Sequence, residues 1–115
     1  LFLDQEYSRL FIGPYVLDTH TSLLTNQKLS RGQSVFAVDP ITDSYWAIGL
    51  EGEGDHSSYV VMSLFRKSLS MRQSQVLSSA RTLKPVVAFD PQRRLIYVAD
   101  TAKAELQVFA VGNLR

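Results

Sequence analysis

The sequence predicts an all-β protein built from three copies of one strand–turn–strand unit, and three observations carry that expectation. The first is a repeat: the segments LFLDQEYSRLFIG (1–13), FAVDPITDSYWAI (36–48) and VAFDPQRRLIYVA (87–99) each run a short apolar stretch into an aspartate, Asp4, Asp39 or Asp90. Six residues after that aspartate a second apolar run begins, at Leu10, Tyr45 and Ile96. The second is the pattern within the strands: VFAV, YWAIGL, YVVM, VVAF and LIYVA are apolar on consecutive positions, whereas a sheet with one wet face alternates apolar and polar residues. Both faces of such strands must be covered. The third is the scarcity of helical periodicity, which leaves further sheets as the cover.

Each element has its own reason. Asp4, Asp39 and Asp90 end a strand because a carboxylate accepts backbone N–H groups and opens a turn, and Pro40 and Pro91 supply the fixed φ of the next turn position. The second copy continues with SYVVMSLF (58–65) as a third strand and QVLSSA (75–80) as a fourth; in the last copy ELQVFAV (105–111) is a third strand. In the first copy SLLTNQKLS (22–30) supplies the outer strands. The stretch SLFRKSLSMRQSQVL (63–77) spaces its apolar residues at roughly helical intervals, enough for one short helix. An aromatic recurs seven residues after each aspartate, as Phe11, Trp46 and Tyr97, and recurrence in three copies marks a core position rather than a ligand contact.

The copies are offset by 35 and 51 residues, near the length of roughly 40 to 50 residues per blade in propeller repeats. Sheets covered on both faces by other sheets are what radially stacked blades provide. The expectation is therefore a β-propeller-like chain of about three four-stranded antiparallel blades, with boundaries at 1–33, 34–84 and 85–115. Rings close with about four to eight blades, so three make an incomplete ring. Its end faces would need another copy or a partner chain to cover them. The chain starts at Leu1 rather than methionine, which suits a processed product or a piece of a longer protein.

The segment IYVADTAKAELQVFAVG (96–112) resembles the unit of NHL-type propeller repeats, and VAFDP with FAVDPITDSYWAI is similar to the YWTD repeats of lipoprotein-receptor propellers. In place of the aspartate at Asp100 the second copy has Gly49 and the first Pro14, a departure at what in both families is chiefly a blade-packing position. The resemblance implies part of a six-bladed type of ring, a protein-binding role and an extracellular setting. It also implies an alternative: a fragment of a calcium-dependent lactonase or lyase, with carboxylates at the mouth of the central channel. Asp4, Asp39 and Asp90 are the residues that would stand there.

Composition narrows the function. With 12 Lys and Arg against 11 Asp and Glu, the net charge of +1 argues against a general nucleic-acid binder. No apolar run approaches the length needed for membrane insertion, and without cysteine there is no thiolate nucleophile or Cys-based zinc site. The charges are nonetheless segregated. All five between Arg31 and Arg66 are acidic, and all five between His56 and Val87 are basic. In the acidic block Glu51, Glu53 and Asp55 alternate with glycine, a spacing that offers three oxygens to calcium, although a soluble hairpin tip explains it more simply. In the basic block Arg66, Lys67 and Arg72 read as a solvated blade edge that discourages edge-to-edge pairing, or as a binding edge for an acidic surface. No cofactor is implied. His20 and His56 lie in polar loop contexts, and no G-x-S-x-G, Walker or H-E-x-x-H motif occurs. The expected function is a non-catalytic protein-interaction module.

Overall fold

A computed structural model describes residues 1–29, 32–51, 58–78, 85–101 and 104–111. The described chain is all-β and falls into three antiparallel sheets. The first joins β1 (Phe2–Asp4), β2 (Arg9–Ile12), β3 (Tyr15–Asp18) and β4 (Leu23–Lys28) in chain order. The second joins β5 (Ser34–Asp39), β6 (Ser44–Glu51), β7 (Ser58–Phe65) and β8 (Met71–Ser78) in the same way. The third holds β9 (Pro85–Asp90), β10 (Leu95–Asp100) and β11 (Glu105–Ala110), with β10 in the middle. The first strands of successive sheets adjoin, β1 beside β5 and β5 beside β9. The short helix for which 63–77 left room does not form; β7 and β8 run through most of that stretch, joined by a turn. Strand pairing of Val60, Val61 and Met62 with the next strand outweighs the loose helical spacing.

One turn recurs throughout. Four residues separate the paired ends of a hairpin at Asp4↔Arg9, Asp18↔Leu23, Asp39↔Ser44, Asp90↔Leu95 and Asp100↔Glu105. The loop from β7 to β8 closes alike, with Phe65 N–H donating to the Ser70 carbonyl at 2.8 Å and Leu69 N–H to the Phe65 carbonyl at 2.7 Å. In each loop the fourth residue takes left-handed φ: Ser8, Ser22, Asp43, Leu69, Arg94 and Ala104, at 49° to 64°. None is β-branched, which is the class that this conformation penalises most. Aspartate fixes the entry by accepting backbone N–H groups, from Tyr7 at Asp4, His20 at Asp18, Ile41 at Asp39, and both Gln92 and Arg93 at Asp90.

Side-chain alternation then builds two cores. Tyr45 and Ala47 of β6 with Val60, Met62 and Leu64 of β7 face the first sheet, where Phe11, Val16 and Leu29 meet them. Trp46 and Val61 face the opposite way and meet Ile96, Val98 and Val111. A register shift in β5 between Val35 and Ala37 turns Val35 and Val38 to the first core and Phe36 and Ala37 to the second. The consecutive apolar residues of the middle sheet are thus answered by a sheet on each side.

Candidate interaction site

Each interface between sheets is closed by a buried aspartate and an arginine from the following sheet. Asp4, the last residue of β1, receives Arg66 Nε on Oδ2 at 2.9 Å and Arg66 Nη2 on Oδ1 at 2.8 Å. This bidentate fork is the strong geometry for a guanidinium and a carboxylate. Tyr45 donates its hydroxyl to the same carboxylate, and Arg9 donates to the Tyr45 hydroxyl at 3.3 Å and to the backbone carbonyls of Arg66 and Lys67. Arg66 reaches on to Asp43 at 3.3 Å and Glu6 at 3.2 Å and lies 4.5 Å from the centre of the Tyr7 ring. At the next interface Asp39, the last residue of β5, is held in the same bidentate way by Arg94 at 2.6 and 2.8 Å.

Electrostatics lock these groups in their charged forms. Burial would raise the Asp4 carboxyl, but hydrogen bonds from Arg66, Tyr45 and the Tyr7 amide together hold it below its ordinary value. Burial raises Asp39 as well, and there the bonds and charge of Arg94, with bonds from Thr42 and the Ile41 amide, bring it down. Burial and the Asp4 carboxylate push the Tyr45 hydroxyl up to about 12, so it stays a donor. Both carboxylates thus have each oxygen bonded by an arginine N–H group.

Asp90 is the third member of the series and differs. Among the described residues it accepts hydrogen bonds only from amides of its own loop, has Arg93 beside it at 3.9 Å, and keeps 27 % of its side chain exposed. The reason lies in direction. Alternation along β1 puts Phe2 and Asp4 toward the second sheet, and Asp39 meets Arg94 of the third; along β9, Val87 and Phe89 face back to the second sheet, so Val86, Ala88 and Asp90 face outward. Each aspartate looks toward the sheet that follows it, and after Asp90 none follows among the described residues.

The same rule orders the recurrent apolar positions. Six residues after the aspartate, Tyr45 and Ile96 face the preceding sheet and are fully buried, while Leu10, with none before it, is half-buried. Seven residues after, Phe11 and Trp46 face the following sheet and are fully buried, while Tyr97 is half-buried. The shared core position expected for these three aromatics therefore holds for two. Around Leu10 the outer face of the first sheet carries a row of leucines paired across all four strands, Leu3↔Leu10↔Leu17↔Leu24, with Ile12↔Tyr15 beyond it. Around Tyr97 the third sheet shows the rows Ala88↔Tyr97↔Val108 and Val86↔Ala99↔Leu106. Leu3, Leu24, Val86, Leu106 and Val108 are exposed.

The geometry also places the other candidate residues. Arg66 does not lie on a solvated edge: its side chain is 9 % exposed, because Asp4 takes its guanidinium across the sheet interface. Lys67 is exposed and lends only its carbonyl to Arg9, and Arg72 is half-buried on β8, bonded to Gln73. Asp4, Asp39 and Asp90 do not meet, and among the described residues no group of three or more acidic or histidine residues is placed to hold a metal ion. Glu51 ends β6; Glu53, Asp55 and His56 lie outside the described residues. His20 bonds the Ser8 hydroxyl at 2.8 Å in an exposed loop. Arg94, Arg9 and Tyr45 were not marked as site residues by the sequence. The signal for Arg94 is its place as fourth loop residue after Asp90. No family model matches the chain, and no curated protein or solved structure matches it.

Proposed function

We propose that the chain is a non-catalytic protein-interaction module, part of a propeller-like array whose two end sheets are covered by β-sheet surface from another copy or another chain. One observation carries this reading: equivalent positions are buried where a neighbouring sheet exists and uncovered where it does not, Leu10 at one end and Tyr97 at the other. Contiguous apolar rows on the surface mark interaction sites. The likeness to NHL and YWTD repeats supports the same reading. The lactonase-like alternative loses its main support, since Asp4 and Asp39 are already committed to arginines. Sedimentation equilibrium of the chain over the micromolar range tests the proposal. Association that rises with concentration and is weakened by Leu17→Lys or Val108→Lys is the expected result; a well-folded monomer throughout overturns it.

A further inference from the structure

We infer that the outer face of the third sheet docks a fourth β-sheet, other than this chain's own first sheet, that brings an arginine in a hairpin loop and seats its guanidinium on Asp90. The inference rests on the proposed docking role of the end sheets and adds the chemistry of the occupant. Charge complementarity carries it. The two equivalent aspartates each take a bidentate arginine from the sheet that covers them, Arg66 for Asp4 and Arg94 for Asp39. Asp90 has the same place at the end of its strand and the same loop amides, but no guanidinium from a covering sheet. Covering the face without one would bury a carboxylate whose charge is met only by Arg93 of its own loop, 3.9 Å away and largely exposed, an unfavourable outcome. The apolar rows around Tyr97 therefore favour a partner that is β-sheet in form and cationic at the matching loop.

The arginine comes from one of two loop positions. Arg94 is the fourth residue of the first hairpin loop of its sheet, and Arg66 is the first residue of the third. In the first sheet those positions are Ser8, bonded to His20, and Thr19, and neither carries a positive charge. A second copy presenting its first sheet would thus leave Asp90 without its arginine.

Installing that arginine in the full chain is the test, with the chain itself as the probe. Ser8 at φ 54° and Arg94 at φ 58° are both left-handed fourth residues of the first loop of their sheet, so Ser8→Arg installs an arginine at the position equivalent to Arg94. Sedimentation equilibrium is compared for the natural chain, Ser8→Arg, Asp90→Asn and the double variant, with Thr19→Arg as the equivalent of Arg66 should Ser8→Arg not fold. The expected result is head-to-tail association tightened by roughly tenfold or more in Ser8→Arg, as a charge-assisted bidentate pair provides, and returned to the natural value by Asp90→Asn. A natural chain already as tight as Ser8→Arg, or a gain that survives Asp90→Asn, overturns the inference alone. Folded monomers for every variant at all concentrations overturn the docking role as well.

Discussion

The two interfaces between sheets use the same parts and differ in depth. Among the described residues, nine buried side chains lie between the first and second sheets around a network in which Asp4, at 2 % side-chain exposure, is bonded by Arg66 and Tyr45. Between the second and third, five buried residues accompany one pair, Asp39 with Arg94, whose arginine remains 27 % exposed. A guanidinium that can be rehydrated when its partner is lost costs less to strand than a buried carboxylate. The first interface is therefore a tight structural joint, and the second resembles a docked neighbour. The open face at Asp90 continues the trend from network to pair to a carboxylate paired only with Arg93 of its own loop.

Breaking either joint should have the largest effect. Arg66→Ala leaves Asp4 buried without its cation and Arg94→Ala does the same to Asp39, so each is expected to cost about 3 to 5 kcal/mol in urea unfolding. The forward-facing aromatics sharpen the contrast. Trp46→Ala, which empties a fully buried position, is expected to cost about 3 to 5 kcal/mol. Tyr97→Ala, at the equivalent but uncovered position, should cost roughly 1 kcal/mol or less in the monomer. Equal losses at the two would mean that they are not equivalent.

Acid should act on both joints. The carboxyls of Asp4 and Asp39 are held below their ordinary value in the folded chain, so the stability they contribute is complete above the unfolded value of about 3.9 and is lost as pH falls from there through the lowered folded values. The urea midpoint should stay level from neutral pH to about 5 and then fall. Asp39→Asn should lower stability at neutral pH and shrink the acid-dependent part, while Asp90→Asn should change the monomer little. The smallest effect is expected at Ser63, whose hydroxyl, like Trp46 Nε1, is buried without a hydrogen-bond partner among the described residues. Ser63→Ala should be neutral or slightly stabilising, because it removes an unsatisfied group.

The fold was legible in the sequence where the signal is local. The spacing from Asp4, Asp39 and Asp90 to the next strand marks three hairpins, and the same spacing after Asp18 and Asp100 marks two more that the search for repeats passed over. The β7–β8 hairpin has Phe65 in place of the aspartate, so it left no such mark, and its spacing left room for a short helix beside the two strands. Pairings between sheets were not legible. Arg66 lies 62 residues from Asp4 and Arg94 lies 55 from Asp39, and nothing in a run of basic residues distinguishes an arginine that crosses an interface from one in solvent. Composition placed Arg66 on the surface; only the direction of the β-strands places it in a joint.

The central claim is that Phe11, Trp46 and Tyr97 occupy one structural position, covered twice and open once. Hydroxyl-radical footprinting, with each oxidation rate taken relative to the unfolded chain, tests it directly. In the dilute monomer Phe11 and Trp46 should be strongly protected and Tyr97 only partly. As concentration rises and chains associate, protection of Tyr97 should increase several-fold while the other two stay constant. A Tyr97 rate as low as that of Trp46 in the monomer, or one that never changes although the chains associate, would contradict the account.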